Sequence, residues 1–141
     1  MSARENALVA LTAAVSAAVT APVMRDAAWP ERVGPAGLVI VRDGRIANAT
    51  AMLSPLAYIH EHEAEIELIV PAGASDRAAL DALAMAIGAA IAADRMLGGA
   101  VEFAEPGPLD LDAFDIGDSA AIRAARLPVT LTFTTAATPL A

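Results

Sequence analysis

The chain has 141 residues and a formal net charge of −8, and its nine basic residues do not cluster, which excludes a domain that grips nucleic acid by its phosphates. The absence of cysteine excludes a disulfide framework, a thiol nucleophile and a thiolate metal site. Hydrophobic residues make up 57% of the chain and aromatics only 4%, so we expect one domain over residues 1–141 with a core of small side chains.

The first predicted element is a helix. Ser2 and Glu5 have the spacing of a capping box, and Pro22 stops the helix. The uncharged stretch from Ala7 to Met24 is rich in alanine, carries hydroxyl residues and is interrupted by Pro22, so we expect neither a signal peptide nor a membrane span. The apolar residues at helical spacing are Leu8, Leu11, Val15 and Val19.

Two extended segments follow an irregular crossing. Leu38–Val41 predicts a buried strand, and Asp43-Gly44 after it predicts a tight hairpin turn, because glycine accepts positive φ. Residues 46–53 are then expected to form the return strand, and Ser54-Pro55 a break.

The segment from Leu56 to Val70 predicts a long strand with two different faces. Alternation places His60 and His62 on the apolar face. The opposite face carries an evenly spaced carboxylate row, which we expect to face water, a basic neighbour or an open channel. The carboxylate row consists of Glu61, Glu63, Glu65 and Glu67.

The second half adds one helix and two strands. Ser75 predicts the cap of a helix that Gly98-Gly99 closes, and 101–104 predicts a short strand. Residues 106–119 are acidic and turn-rich, and are called the acidic loop below. A final strand over 121–135 shows alternation that predicts one buried face. This order predicts an α+β fold, a mostly antiparallel sheet packed on one face by two helices.

No catalytic or metal-binding constellation is apparent. His60 and His62 share a strand face, but no third ligand lies on it, so we expect a half-buried pair near a sheet edge or a subunit contact. Four evenly spaced carboxylates are typical of a solvated face rather than an acid and base pair. No phosphate loop, dinucleotide fingerprint or nucleophile elbow is present, and we expect no enzyme activity, no metal and no cofactor.

Several short strings resemble a known family. They are Leu53-Ser54-Pro55-Leu56, the segment from Glu61 to Glu67, the helix end from Ala93 to Gly99, and Pro128-Val129-Thr130-Leu131 in the last strand. In this layout the whole chain resembles the small tail-terminator or tail-completion proteins of long-tailed phages and prophages.

The resemblance implies a virion protein at the junction of tail and neck, assembled in the host cytoplasm. Six copies would form a ring on the tail tube, end its polymerisation and offer a docking face to the neck or head-tail connector protein. DNA would pass through without specific binding, and an acidic lining would repel its phosphates. The alternatives are another neck or minor tail component, such as a connector or tube subunit, or a small acidic cytoplasmic enzyme or binding domain.

Two acidic segments are candidates for the channel lining. One is the carboxylate row, and the other is the acidic loop with Asp110, Asp112, Asp115 and Asp118. We prefer the loop for docking to a partner, because irregular segments with isolated apolar residues often become ordered on a neighbour. The candidate docking residues are Leu109, Asp110, Leu111, Asp112, Phe114, Asp115 and Ile116. The scattered arginines are expected to form salt bridges across a subunit contact.

Overall fold

A computed structural model describes all 141 residues and has the predicted α+β architecture. The five strands lie in the order β1-β2-β3-β5-β4, and only the β1–β2 pair is parallel. The sheet is open, and both helices pack on one face of it. The elements in chain order are α1 Ala3–Ala18, β1 Val23–Arg25, β2 Leu38–Leu53, β3 Leu56–Pro71, α2 Asp76–Ala93, a 3₁₀ turn Leu97–Gly99, β4 Phe103–Pro106 and β5 Ile122–Ala136.

The first helix begins where the capping pattern predicts. The Glu5 backbone N–H donates to the Ser2 hydroxyl at 3.1 Å. The Glu5 carboxylate does not complete the capping box, because it accepts a hydrogen bond from Arg25 at 2.7 Å. Ser75 precedes α2 as expected, but its side chain makes no capping hydrogen bond.

The main core lies between the helices and the sheet. Apolar residues from α1 and α2 meet the inward residues of β2, β3 and β5 in a cluster of 22 buried side chains. Burial of this surface is the main force that holds the helices on the sheet. Representative members are Leu8, Leu11, Ile87, Ile91, Val39, Ile66, Leu68, Leu127 and Val129.

The other sheet face, called the open face below, is covered at one end. There a second cluster of five buried residues packs against Trp29, Val33, Phe114 and Ile116 from two loops. The expectation of a single buried face on the last strand is therefore wrong for Ile122 and Ala124, which are buried on the open face. The rest of the open face is half-buried or exposed.

The predicted hairpin turn at Asp43-Gly44 is wrong. Strand β2 continues through it, and the register against β3 jumps from Arg42 opposite Glu65 to Arg45 opposite Glu63. The two residues form a β-bulge in which Gly44 adopts a φ of 68°. A Cβ on Gly44 would lie 1.9 Å from the Glu63 carbonyl oxygen, so no other residue fits there.

The chain reverses instead at Ser54-Pro55, so residues 46–53 extend β2 rather than return. The result is a long β2–β3 hairpin whose distal part, residues 46–59, is called the arm below. Residues 44–56 are all exposed, and β1 pairs only with Val39–Val41 near the base of the hairpin.

Candidate assembly surfaces

The carboxylate row lies on the open face, as the alternation predicts. Its members occur at every second position of β3, so their Cα atoms are about 7 Å apart. Exposure decreases along the strand: Glu61 is exposed, Glu63 and Glu65 are half-buried, and Glu67 retains only 9% of its accessible surface. The row therefore begins in solvent and ends under the loops.

Glu67 is an internal ion-pair residue. Its Oε1 accepts hydrogen bonds from the Trp29 indole N–H at 2.8 Å and from the Arg42 Nε–H at 3.1 Å, and the Arg42 Nη2 lies 3.1 Å away. Trp29 in turn packs edge-on against Phe114, with 4.8 Å between the ring centroids. The Glu67 carboxylate thus fastens the crossing loop to the sheet.

The other three carboxylates of the row have no protein partner. Glu61, Glu63 and Glu65 form no side-chain hydrogen bond and no ion pair within 4.0 Å. Arg42 lies opposite Glu65 but binds Glu67, while Arg45 lies opposite Glu63 without pairing. The part of the open face that the loops leave uncovered therefore carries a line of three carboxylates without an ion-pair partner.

The two histidines are structural core residues. His60 and His62 are 0% and 1% exposed on the helix face of β3, rather than half-buried. The His60 ring stacks on Phe133, with 5.1 Å between centroids, and its Nε2 lies 3.0 Å from the Thr135 hydroxyl. His62 Nε2 hydrogen-bonds the Asp43 carbonyl oxygen and so contacts the backbone of the β-bulge. No group of three potential metal ligands lies together anywhere in the chain.

The acidic loop packs on its own subunit. Phe114 and Ile116 cover the second cluster, and Leu109 and Leu111 pack against the main core. Asp110 pairs with Arg126 at 3.6 Å, and Asp112 lies 3.5 Å from Arg77. Because the four apolar residues of the loop are half-buried within the monomer, the loop does not need a partner in order to pack. The most exposed members of the candidate docking set are Asp112 and Asp115.

Most of the arginines form ion pairs within the monomer rather than remaining free for a subunit contact. Five of the scattered arginines form ion pairs within the chain, whereas Arg45 does not. The five are Arg42, Arg77, Arg95, Arg123 and Arg126. Arg25, which sequence reasoning missed, bridges three elements by binding Glu5 of α1 and Asp43 of the bulge. Hydrogen bonds from Arg25 hold the pKa of the Asp43 carboxyl below its ordinary value.

The arm is the surface that sequence reasoning did not single out. Its 14 residues include no Lys, Arg, Asp or Glu, in a chain in which 18% of residues are charged. It presents large apolar side chains to solvent: Leu53 is 83% exposed, and Ile46, Met52 and Leu56 are each more than 40% exposed. The missing charges were visible in the sequence, but the assumed turn at Asp43-Gly44 concealed that they lie on one projecting hairpin.

Comparison with known proteins adds no assignment. No protein-family model matches the chain, and no curated protein matches it in sequence. None of the helices has the length and apolar character needed to cross a bilayer.

Proposed function

We propose that this protein is a structural virion subunit of the tail-terminator type. Six copies form a ring on the end of the tail tube, stop its growth and join it to the neck or head-tail connector, leaving a channel for DNA. The resemblance of the sequence supports this proposal, as does the observation that carries it, the uncharged and exposed arm. A projecting hairpin with apolar side chains on its surface is unfavourable for an isolated monomer and is typical of a subunit that completes its packing by assembly.

The open face supplies a suitable channel surface. DNA that slides through a ring must not stick to it, and carboxylates repel phosphate. Glu61, Glu63 and Glu65 have no ion-pair partner, whereas Glu67 is paired with Arg42. We therefore assign the lining role to the first three residues of the row and a structural role to the fourth.

The terminator role is tested by the length of tail tubes. Tube subunits of the same particle, polymerised alone, should give tubes of unlimited length. Addition of this protein should stop growth and leave a cap at one end, seen by electron microscopy. Capping without an effect on length would favour another neck component. A monomer that does not bind tubes would favour the alternative of a small binding domain or enzyme.

The lining role is tested by reversing the charge of the three unpaired carboxylates together. Glu61→Lys, Glu63→Lys and Glu65→Lys should leave tails intact but impair DNA passage, so that infectivity or gene transfer decreases. The triple Gln variant is the matched control, because it removes the charge without creating a phosphate-binding strip, and it should cause a smaller loss. Normal DNA delivery by the Lys variant would contradict the placement of this face in the channel.

A further inference from the structure

A second uncharged surface lies at the far end of the molecule from the tip of the arm. It is a groove of about 360 Å³ beside the end of α1 and the first half of α2, called the helix groove below. Eight of its ten lining residues are hydrophobic and none is charged. Its lining includes Val19, Pro35, Ala36, Val70, Ala82 and Leu83.

The arm and the helix groove match in chemistry. The arm tip exposes Met52, Leu53 and Leu56, and the groove offers alanine, valine, leucine and proline side chains. The molecule as a whole carries a charge of −8, so most contacts between two copies would bring acidic groups together. A contact between the arm and the groove avoids that repulsion and removes apolar surface from water on both sides.

The arm cannot occupy the groove of its own molecule. Strand β3 runs from Leu56 at the arm tip to Val70 in the groove wall. These residues are 14 positions apart on one extended strand, which corresponds to about 46 Å. An arm that occupied the groove would therefore belong to a second copy.

The β4 edge of the sheet is closed to strand pairing with another copy. At the β4 edge the Arg95 carbonyl oxygen accepts from the Ala104 N–H at 2.8 Å, and the Arg95 guanidinium donates to the Ala104 carbonyl oxygen at 3.1 Å. Pro106 has no N–H to offer. Strand pairing between copies through β4 is therefore disfavoured.

We propose that the arm of each copy docks in the helix groove of the next copy. The contact joins two different surfaces at opposite ends of the subunit, and such a head-to-tail contact closes into a ring when its rotation permits. The inference deepens the proposed function, because it names the contact between neighbouring subunits of the ring.

The absence of cysteine makes a crosslinking test specific. In the double variant Leu53→Cys with Ala82→Cys, one thiol lies at the arm tip and the other at an exposed position of the groove. Mild oxidation should yield a ladder of disulfide-linked multimers on a non-reducing gel. The largest multimer should contain as many subunits as the ring. An equimolar mixture of the two single variants should stop at the heterodimer. Mass spectrometry should find the peptide that joins positions 53 and 82.

The matched control replaces Ala82→Cys by Ala89→Cys. Ala89 is exposed on the same helix, two turns and about 10 Å further along, beyond the reach of a disulfide from the same docked arm. Leu53→Asp should weaken self-association at least about tenfold, because the docked arm would bury an unpaired charge. Thr50→Asp, on the exposed flank of the arm, should weaken self-association less.

Failure of this inference differs from failure of the proposed function. Absence of the 53–82 crosslink at about millimolar protein, where even weak contacts form, or equal crosslinking through position 89, would overturn the arm contact. Tail ends that still carry caps would then leave the ring function intact. A 53–82 ladder together with uncapped tubes would instead retain the arm contact and overturn the terminator role.

Discussion

Replacement of Glu67 by glutamine tests the division of the carboxylate row into a structural and an exposed part. The Glu67 carboxylate holds Arg42 and Trp29 and its side chain is only 11% exposed, so Glu67→Gln removes the charge of a mostly buried ion pair. Glutamine keeps one acceptor oxygen for the indole, and Arg42 remains 28% exposed and can be solvated. We therefore expect a loss of about 2 kcal/mol, below the range for complete burial.

The matched variant is Glu63→Gln, on the same strand and the same face but unpaired. It should change the free energy of unfolding by less than about 0.5 kcal/mol. For a chain of this size the loss in Glu67→Gln corresponds to a decrease of about 7 °C in Tm. Urea unfolding followed by far-UV circular dichroism measures the difference, and fluorescence of Trp29, the only tryptophan, reports the site itself. Equal stability of the two variants would refute the assignment of Glu67 to the fold.

Three further predictions concern the hairpin and its supports. Gly44→Ala should lower the free energy of unfolding by about 3 kcal/mol or prevent folding, because the bulge combines positive φ with close backbone contact; wild-type urea midpoints would contradict the bulge. The lowered pKa of Asp43 means that its carboxylate stabilises the fold above about pH 4, and this contribution is lost as the pH falls below that value. Arg25→Met should therefore destabilise the protein at neutral pH, and the loss should decrease as the pH falls below about 4; a loss that does not change with pH would count against the ion pair. Thr135→Val removes the hydroxyl that hydrogen-bonds buried His60 and should cost about 1–2 kcal/mol in thermal unfolding. The same change at Thr134, whose hydroxyl donates to the Glu102 carboxylate at the exposed surface, should cost less.

The periodic parts of the chain could be predicted from the sequence. Alternation in β3 placed the carboxylate row and the histidines on opposite faces, and helical spacing together with Ser2 located α1. These predictions succeeded because the period of a strand or helix decides which residues share a face, whatever the rest of the fold does.

The β-bulge at Asp43-Gly44 is a feature that local sequence patterns could not predict. An Asp-Gly pair satisfies the backbone demands of a hairpin turn and of a bulge equally well, because both need positive φ at glycine. Only the partner strand distinguishes them, and here β3 pairs with β2 on both sides of Gly44. Because a turn was predicted at Asp43-Gly44, the sequence did not reveal that residues 46–59 form one projecting arm.

The sequence also did not reveal which side chains far apart along the chain contact one another. The row reads as four equivalent glutamates, yet Trp29 and Arg42 engage only Glu67. The environment of His60 depends on Phe133 and Thr135, more than 70 positions further along the chain. No local pattern in one sequence encodes such contacts.

The central claim is that the protein acts through surfaces shared with copies of itself and with the tail. Electron microscopy of tail tubes mixed with the purified protein, with averaging of the tube ends, tests it most directly. The account predicts a six-fold ring at one end of each tube, with an arm reaching from each subunit to the next and the open sheet face towards the channel. Bare tube ends, with the protein monomeric beside them, would contradict it.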